Sequence, residues 1–293
     1  MTNERSNNMK KNICFILAAV MMLALCACPK DEAPSPQETE PAPQETLDLT
    51  IYDKAEGKLA KEVWYNTDGL QFRSVIYEYD ENGFLVKETT LGINDAPAGY
   101  KEYTRNDKGE AVKMTSFIAL GPEEFEEEYS VVYELDDAGN TVKASTVING
   151  TETAVTEYSY DSGKLASEKY SEGGELISET DYAYGDGIVT LTRRDYIEDG
   201  AVTEERILDK DGRITSVTRT GADGGLISRT EYTYDENGSE KTAVISGSDG
   251  SVISTTSSEY EYDGPGNIVK CTRSQTDAGE SSVIEYTWDY AKG

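Results

Sequence analysis

The chain contains no histidine. That absence excludes Ser-His-Asp and Cys-His nucleophilic catalysis, histidine acid/base work and the common zinc sites. Cysteine is nearly as scarce, with four in all: Cys14, Cys26, Cys28 and Cys271. Three of them fall in one N-terminal apolar segment, so no disulfide framework can staple the remainder. Apolar residues are also thin, at 37% of 293 residues with a mean hydropathy of -0.58, too few to supply a thick two-layered core. Positive charge is short: 27 Lys and Arg stand against 56 Asp and Glu, for a formal net charge of -29. A phosphate-backbone binder gains affinity by releasing counterions with Lys and Arg, so no nucleic-acid partner is expected, and anionic lipid surfaces are equally disfavoured. Such charge suits solubility, since it keeps exposed sheet surfaces apart. Finally, no Gly-x-Ser-x-Gly elbow, Ser-x-x-Lys dyad or Gly-x-x-x-x-Gly-Lys loop occurs.

Lys10 and Lys11 precede an unbroken apolar run from Ile13 to Ala27, followed at once by Pro29, Lys30 and Asp31. This is the layout of a signal-peptide apolar region, too short to span a bilayer comfortably, which takes about 20 residues. A start at Met9 would put the two lysines directly after the initiator. The end of the run, Leu25-Cys26-Ala27-Cys28, resembles the lipobox of bacterial lipoproteins. The resemblance implies cleavage before Cys28, acylation of its sulfur, and residence in the cell envelope as an exported, lipid-anchored protein. Cys26 stands where a small residue is more usual; as the modified residue itself it would place Leu25 at the cleaved bond, a poorer fit. An ordinary secretory signal with incidental cysteines is the alternative. Residues 28-47 then form a Pro- and Glu-rich tether, with Pro29, Pro34, Pro36, Pro41 and Pro43 among polar residues, a composition that stays extended. The expected organisation is thus 1-27 leader, 28-47 tether, 48-293 folded domain.

From about residue 48 the chain repeats one phrase: tyrosines, an acidic turn, a glycine, then aliphatic and β-branched residues. Clear copies start at Tyr77 (YEYDENGFLVKETT), Tyr158 (YSYDSGKLASEKY), Tyr232 (YTYDENGSEKTAV) and Tyr260 (YEYDGPGNIVKCT). The turn glycines are Gly57, Gly83, Gly109, Gly139, Gly163, Gly187, Gly212, Gly238 and Gly266, and a further unit begins at Tyr286. Each unit reads as two strands, because Tyr-x-Tyr alternation enters an Asp-x-x-Gly turn and leaves into β-branched residues. Looser turns lie midway, near Asp68, Asp95, Asn149, Asp199, Asp223 and Asp249. Asn-Gly and Asp-Gly pairs supply the positive φ that hairpins need. The expectation is an all-β fold: a long antiparallel meander of some eighteen strands coiled into an open, spiral or barrel-like sheet, since so wide a sheet cannot stay flat. Residues 122-128 (PEEFEEE) read as an acidic loop insertion.

These phrases resemble the YD repeats of the Rhs-type family over about 240 residues. The segments that carry it are Tyr77 to Leu85, Tyr158 to Leu165, Tyr232 to Gly238, Tyr260 to Ile268 and, for the second half of the consensus, Asp209 to Ile214. The resemblance implies long coiled antiparallel sheets, in that family sometimes a shell around a toxin domain. Arg follows the glycine only at Arg213, several units lack the second tyrosine, and no toxin-like domain follows, so the architecture carries over better than the encapsulating role. MORN-like and bacterial antitoxin repeats are a weaker second resemblance.

The paired aromatics Tyr77/Tyr79, Tyr158/Tyr160, Tyr182/Tyr184, Tyr232/Tyr234, Tyr260/Tyr262 and Tyr286/Trp288 each place two rings on one sheet face. Exposed, they would form a ladder for sugars or peptides; buried, they are the thin core of a chain with only five phenylalanines. Asp209-x-Asp211-Gly212 is superficially like part of a calcium loop, but hairpin turn chemistry accounts for it and for Asp80, Asp136 and Asp235. No metal or cofactor is expected. The functional expectation is a non-catalytic, surface-anchored lipoprotein whose repeat sheet binds an unidentified protein or glycan or serves as an envelope structural module. The alternative is a carbohydrate-active enzyme using a carboxylate pair.

Overall fold

The computed structural model describes residues 57-197, 200-276 and 280-290. Cys28, the leader and the tether lie outside the described residues. Strands run in chain order as β1 Lys58–Tyr65, β2 Gln71–Tyr79, β3 Leu85–Leu91, β4 Pro97–Arg105, β5 Ala111–Ala119 and β6 Phe125–Leu135. They continue as β7 Thr141–Ile148, β8 Thr151–Asp161, β9 Lys164–Glu172, β10 Glu175–Gly185, β11 Ile188–Asp195 and β12 Gly200–Leu208. The last six are β13 Ile214–Gly221, β14 Leu226–Tyr234, β15 Glu240–Gly247, β16 Val252–Tyr262, β17 Ile268–Gln275 and β18 Glu280–Asp289. Every strand pairs antiparallel with its sequence neighbours, and β1 also pairs with β18, so the 18-stranded sheet closes into a barrel. Of the three expected forms, open sheet and spiral are therefore replaced by the closed one: closure removes both edges, which would otherwise present unpaired N–H and C=O groups.

The recurring Asp-x-x-Gly turn has one local cause. In the β2–β3 turn the Asp80 carboxylate accepts the amides of Asn82 (2.9 Å) and Phe84 (2.8 Å), while Gly83 sits at φ +92°. Asp136, Asp209 and Asp235 repeat both contacts, and Asn106 substitutes its amide oxygen. A type I turn followed by a left-handed glycine makes a one-residue bulge, so the strand after each such turn slips by one. That slip recurs between Glu78 and Tyr79, Thr104 and Arg105, Thr233 and Tyr234, and Glu261 and Tyr262. All of these turns lie on one rim. The looser turns make the other rim. The expected acidic loop at 122-128 is shorter than its sequence suggested: β6 starts at Phe125, because that ring packs edge-on against Tyr100 and pulls its segment into the sheet.

Closure reproduces the repeat across the chain ends. Trp288 lies opposite Leu59, Thr287 opposite Lys61 and Tyr286 opposite Glu62, with the bulge after Leu59. In the β2–β3 hairpin, Tyr79 faces Leu85, Glu78 faces Lys87 and Tyr77 faces Glu88, the same register with the same slip. The half-unit beginning at Tyr286 and the half-unit following Gly57 are therefore two parts of one unit.

Cross-strand register puts both rings of each aromatic pair on one face. The large buried residues Leu59, Val75, Tyr77, Leu85, Tyr103, Met114, Leu191, Val217, Cys271 and Ile284 all share that face, so it is the concave, inner one. Cys271 packs in its strand opposite Tyr260, as expected. On the outer face lie Lys and Glu pairs: Lys87–Glu102 at 3.5 Å, Lys169–Glu179 at 3.2 Å and Lys270–Glu261 at 3.2 Å.

Candidate functional site

The inner wall is where the sequence placed its candidate residues, and the barrel brings all six aromatic pairs onto it. Within a pair the two positions differ. In four of the six pairs the second aromatic reaches back along the wall to the bulge of the preceding unit and donates a hydrogen bond to the carbonyl two residues beyond that unit's turn glycine. Tyr79 donates to Leu59 O (2.9 Å), Tyr160 to Thr141 O (2.9 Å), Tyr234 to Ile214 O (2.6 Å) and Trp288 Nε1 to Ile268 O (2.8 Å). A bulge leaves a carbonyl outside the ladder, and an unpaired carbonyl in a crowded wall costs free energy, which is the physical reason for a hydrogen-bonding aromatic here. Where the pair is offset the donor changes. Tyr260 rather than Tyr262 serves Glu240 O (2.8 Å), and Tyr262 turns to Asp235 (2.6 Å) and Ser239 (2.7 Å).

The residue directly after the turn glycine completes this clasp from above. The ammonium of Lys58 lies 5.2 Å from the Tyr79 ring centre, that of Lys164 lies 4.9 Å from Tyr184, and the Arg213 guanidinium lies 4.9 Å from Tyr234. One unit swaps the partners: Phe84 follows the glycine and Arg105 holds the second aromatic position, with guanidinium and ring 5.1 Å apart. Arg105 also serves the bulge carbonyl, Leu85 O, through Nε (3.2 Å) and Nη2 (3.1 Å). This pairing was missed in the sequence, although the swap at Phe84 and Arg105 is a visible signal for it. Beside it, Asp80, Phe84, Arg105 and Lys108 line a wide-mouthed cleft of about 470 Å³ between the β2–β3 and β4–β5 turns.

Several first-position tyrosines turn to carboxylates instead. Tyr103 donates to Glu88 (2.8 Å) and Tyr182 to Glu168 (2.9 Å). Burial, then the Glu168 charge, raises the Tyr158 hydroxyl to about 12 and raises Tyr182 as well; burial and Glu62 do the same for Tyr286. Glu62 lies above the ordinary carboxylate range because burial outweighs the bonds it accepts from Trp64 and Tyr77. Tyr232 is raised by burial first and by Glu240 next. Tyr184 is exposed.

On β12 and β13 the wall changes chemistry. Arg206 and Leu208 replace the two tyrosines, and Glu204 binds Arg206 Nε (2.6 Å) and Arg219 Nε (2.7 Å). Burial pushes the Glu204 carboxyl up, yet the bonds from Arg219 and Arg206 outweigh it and hold it below the usual range. Among the described residues no group of three or more acidic or cysteine side chains is placed to hold a metal ion.

No family model matches this chain, and no curated protein does. Solved structures resemble it distantly. A porin-like protein from Bacteroides uniformis is 12% identical over 79% of this chain and 96% of its own, with a TM-score of 0.43. The TcdB2-TccC3-Cdc42 structure is 12% identical over 76% of this chain but only 16% of its own, with a TM-score of 0.27. A Photorhabdus luminescens Tc holotoxin pore is likewise 12% identical, at a TM-score of 0.24 and covering 15% of its own length.

Proposed function

We propose that this protein is a non-catalytic binding barrel of the bacterial cell envelope, lipid-anchored through Cys28 and standing outside the bilayer. The outer face carries the reading. A membrane-spanning barrel presents an apolar belt about 25 Å tall to lipid, and charge on that face is costly. Here the same face bears Lys169, Glu179, Asp181 and Arg194 as a linked ion-pair group on β9, β10 and β11. Attachment to a membrane therefore falls to the acylated Cys28. The absence of a histidine and the commitment of the inner-wall hydroxyls to carbonyls and carboxylates support binding over catalysis.

The test is fractionation of cells that express the chain with and without Cys28→Ser. Retention of the parent in the membrane fraction and release of the variant, or accumulation of an unprocessed precursor, is the expected result. Equal processing and retention of both would remove the anchor, and turnover by the parent on a panel of envelope glycans would replace binding with the carboxylate-pair alternative.

A further inference from the structure

The two rims of the barrel differ, and the looser-turn rim carries apolar residues that nothing in the barrel covers. Its most developed part spans two adjacent loops, between β3 and β4 and between β5 and β6. Ile93 is 63% exposed, Leu120 58% and Phe125 37%. Phe125 belongs to an outer-face stack: it meets Tyr100 edge-on at 5.0 Å, and Tyr100 lies on Phe117 with ring centres 4.5 Å apart. Lys87 closes the opposite side of Tyr100 at 3.9 Å, so the base of the pad is fixed before any partner arrives. Beside Ile93, Asn94 and Asp95 take φ of +57° and +56°, the left-handed region that Asn and Asp adopt more readily than other non-glycine residues.

Apart from Lys87, which is engaged by Tyr100 and Glu102, the charge bordering the pad is negative. Asp95, Glu123, Glu124, Glu126 and Glu127 are all exposed. Among the described residues none of the five has an ion pair with Lys or Arg; Asp95 is held by Gln71 instead, at 2.9 Å. Segments 66-70, 92-96, 120-124, 149-150, 173-174, 222-225 and 248-251, which connect strands on this rim, contain no Lys or Arg. The opposite rim has Lys108, Lys210 and Arg213 in its turns. An apolar centre with a polar, charged border is the anatomy of a protein interface, and uniform charge selects the opposite charge.

We infer that the Ile93–Leu120–Phe125 pad docks a protein segment that is apolar on one face and cationic along its flanks. This deepens the binding reading above and rests on it. Apolar side chains of the partner would cover Leu120 and Phe125, while its Lys or Arg would meet Glu123 and Glu124 in the loop and Glu127, which shares the outer face with Phe125. Anionic or zwitterionic lipid fits less well, since the carboxylates offer it repulsion or nothing.

The experiment uses the full chain in phosphatidylcholine nanodiscs and two fluorescent peptides, one of alternating Leu and Lys and one of alternating Leu and Glu, read by anisotropy. The Leu-Lys peptide is expected to bind, and to weaken as salt rises from about 50 to 500 mM through screening. Leu120→Ser/Phe125→Ser should weaken it about tenfold or more, the scale of a lost hot spot. Glu123→Gln/Glu124→Gln/Glu127→Gln keeps the apolar pad and should weaken binding similarly with a flatter salt response. Glu81→Gln/Glu236→Gln, on the opposite rim, should leave binding unchanged. Equal affinity for the Leu-Glu peptide, failure of the Leu-Lys peptide to bind, or parental affinity in both pad variants would overturn the inference. So would quenching of a fluorophore on Leu120→Cys by brominated phosphatidylcholine, which would assign the pad to lipid. Any of these leaves the Cys28 fractionation result standing, so the pad can fail without the envelope reading.

Discussion

Around the seam, Leu59, Val75, Tyr77, Leu85, Tyr103 and Met114 form a buried cluster on the inner wall, with Tyr79, Tyr286 and Trp288 packed against it. Across β12 and β13 the equivalent positions hold Glu204, Arg206 and Arg219, tied by two short hydrogen bonds, with Val217 alone among large buried residues. Both sectors keep the antiparallel register and the bulge that follows the turn, as the slip between Ile207 and Leu208 shows. Geometry is thus set by turn and bulge, which depend on the Asx residue and the glycine. The wall's chemistry is free to vary as long as something fills the space and satisfies the carbonyls.

Removing β18 should break the comparison most severely. An up-and-down ring closes antiparallel only with an even number of strands, because with seventeen the two end strands run parallel. Truncation after residue 279 would also take away Trp288, Tyr286 and the cover over Leu59. Loss of a cooperative thermal transition, with aggregation through the freed edge of β1, is expected by scattering and circular dichroism. Excising residues 164-187, one period in the sector away from the seam, removes two strands and leaves an even count. That variant should retain β-sheet spectra and a transition at lower temperature; behaviour as poor as the truncation would show that closure tolerates no change in circumference.

Next in size is ring truncation. Tyr77→Ala in the buried cluster should cost about 3 kcal/mol or more in denaturant unfolding, in the range of large aromatic deletions. Tyr232→Ala, whose ring is only half buried, should cost less, since a wider share of its surface already meets water. Equal costs would mean that the seam cluster is no special source of stability.

Glu204→Gln probes the charged sector. Left without their carboxylate, Arg206 and Arg219 lose charge-assisted bonds while staying partly exposed, so about 1 to 2 kcal/mol is expected. The pH dependence sharpens the contrast. Glu204 titrates below its unfolded value, so its stabilisation is present above about pH 4.3 and is lost as pH falls through the lower folded value. Glu62, beside the seam, titrates above its unfolded value, so it detracts from stability at neutral pH, and that penalty is relieved as pH falls through the raised value. Stability measured from pH 7 to 3 should therefore fall less steeply in Glu204→Gln and more steeply in Glu62→Gln.

The smallest expected effect isolates one hydroxyl. Tyr79→Phe keeps the ring and the Lys58 contact but strands the Leu59 carbonyl, for about 0.5 to 1.5 kcal/mol. Tyr184→Phe should be neutral, because its ring is exposed and the Lys164 ammonium over its face does not depend on the hydroxyl. A neutral Tyr79→Phe would remove the clasp from the account of the repeat.

Strand number, antiparallel order and both turn sets were legible in the sequence, because alternation and Asp-x-x-Gly are local signals acting within a few residues. The sharing of a face by Tyr77 and Tyr79, or by Tyr260 and Tyr262, followed from the period of a strand. The different roles of first and second aromatics were not legible: Tyr79 and Leu59, or Tyr234 and Ile214, are 20 residues apart and meet only when adjacent hairpins stand in register. Nor could the local pattern distinguish an insertion at 122-128 from the start of a strand, since the packing of Phe125 on Tyr100 brings together residues from β4 and β6.

What the sequence determined by itself was the repeating hairpin, its turns and the alternation of its faces, since each depends on contacts within one unit. Whether that meander stays open, spirals or closes depends on the cumulative twist and stagger of all eighteen strands and on the fit of β1 to β18. Small differences per strand add up over the whole circumference. Only the tertiary structure therefore decided that the half-unit after Gly57 finds its missing half at Tyr286, nearly a full chain length away.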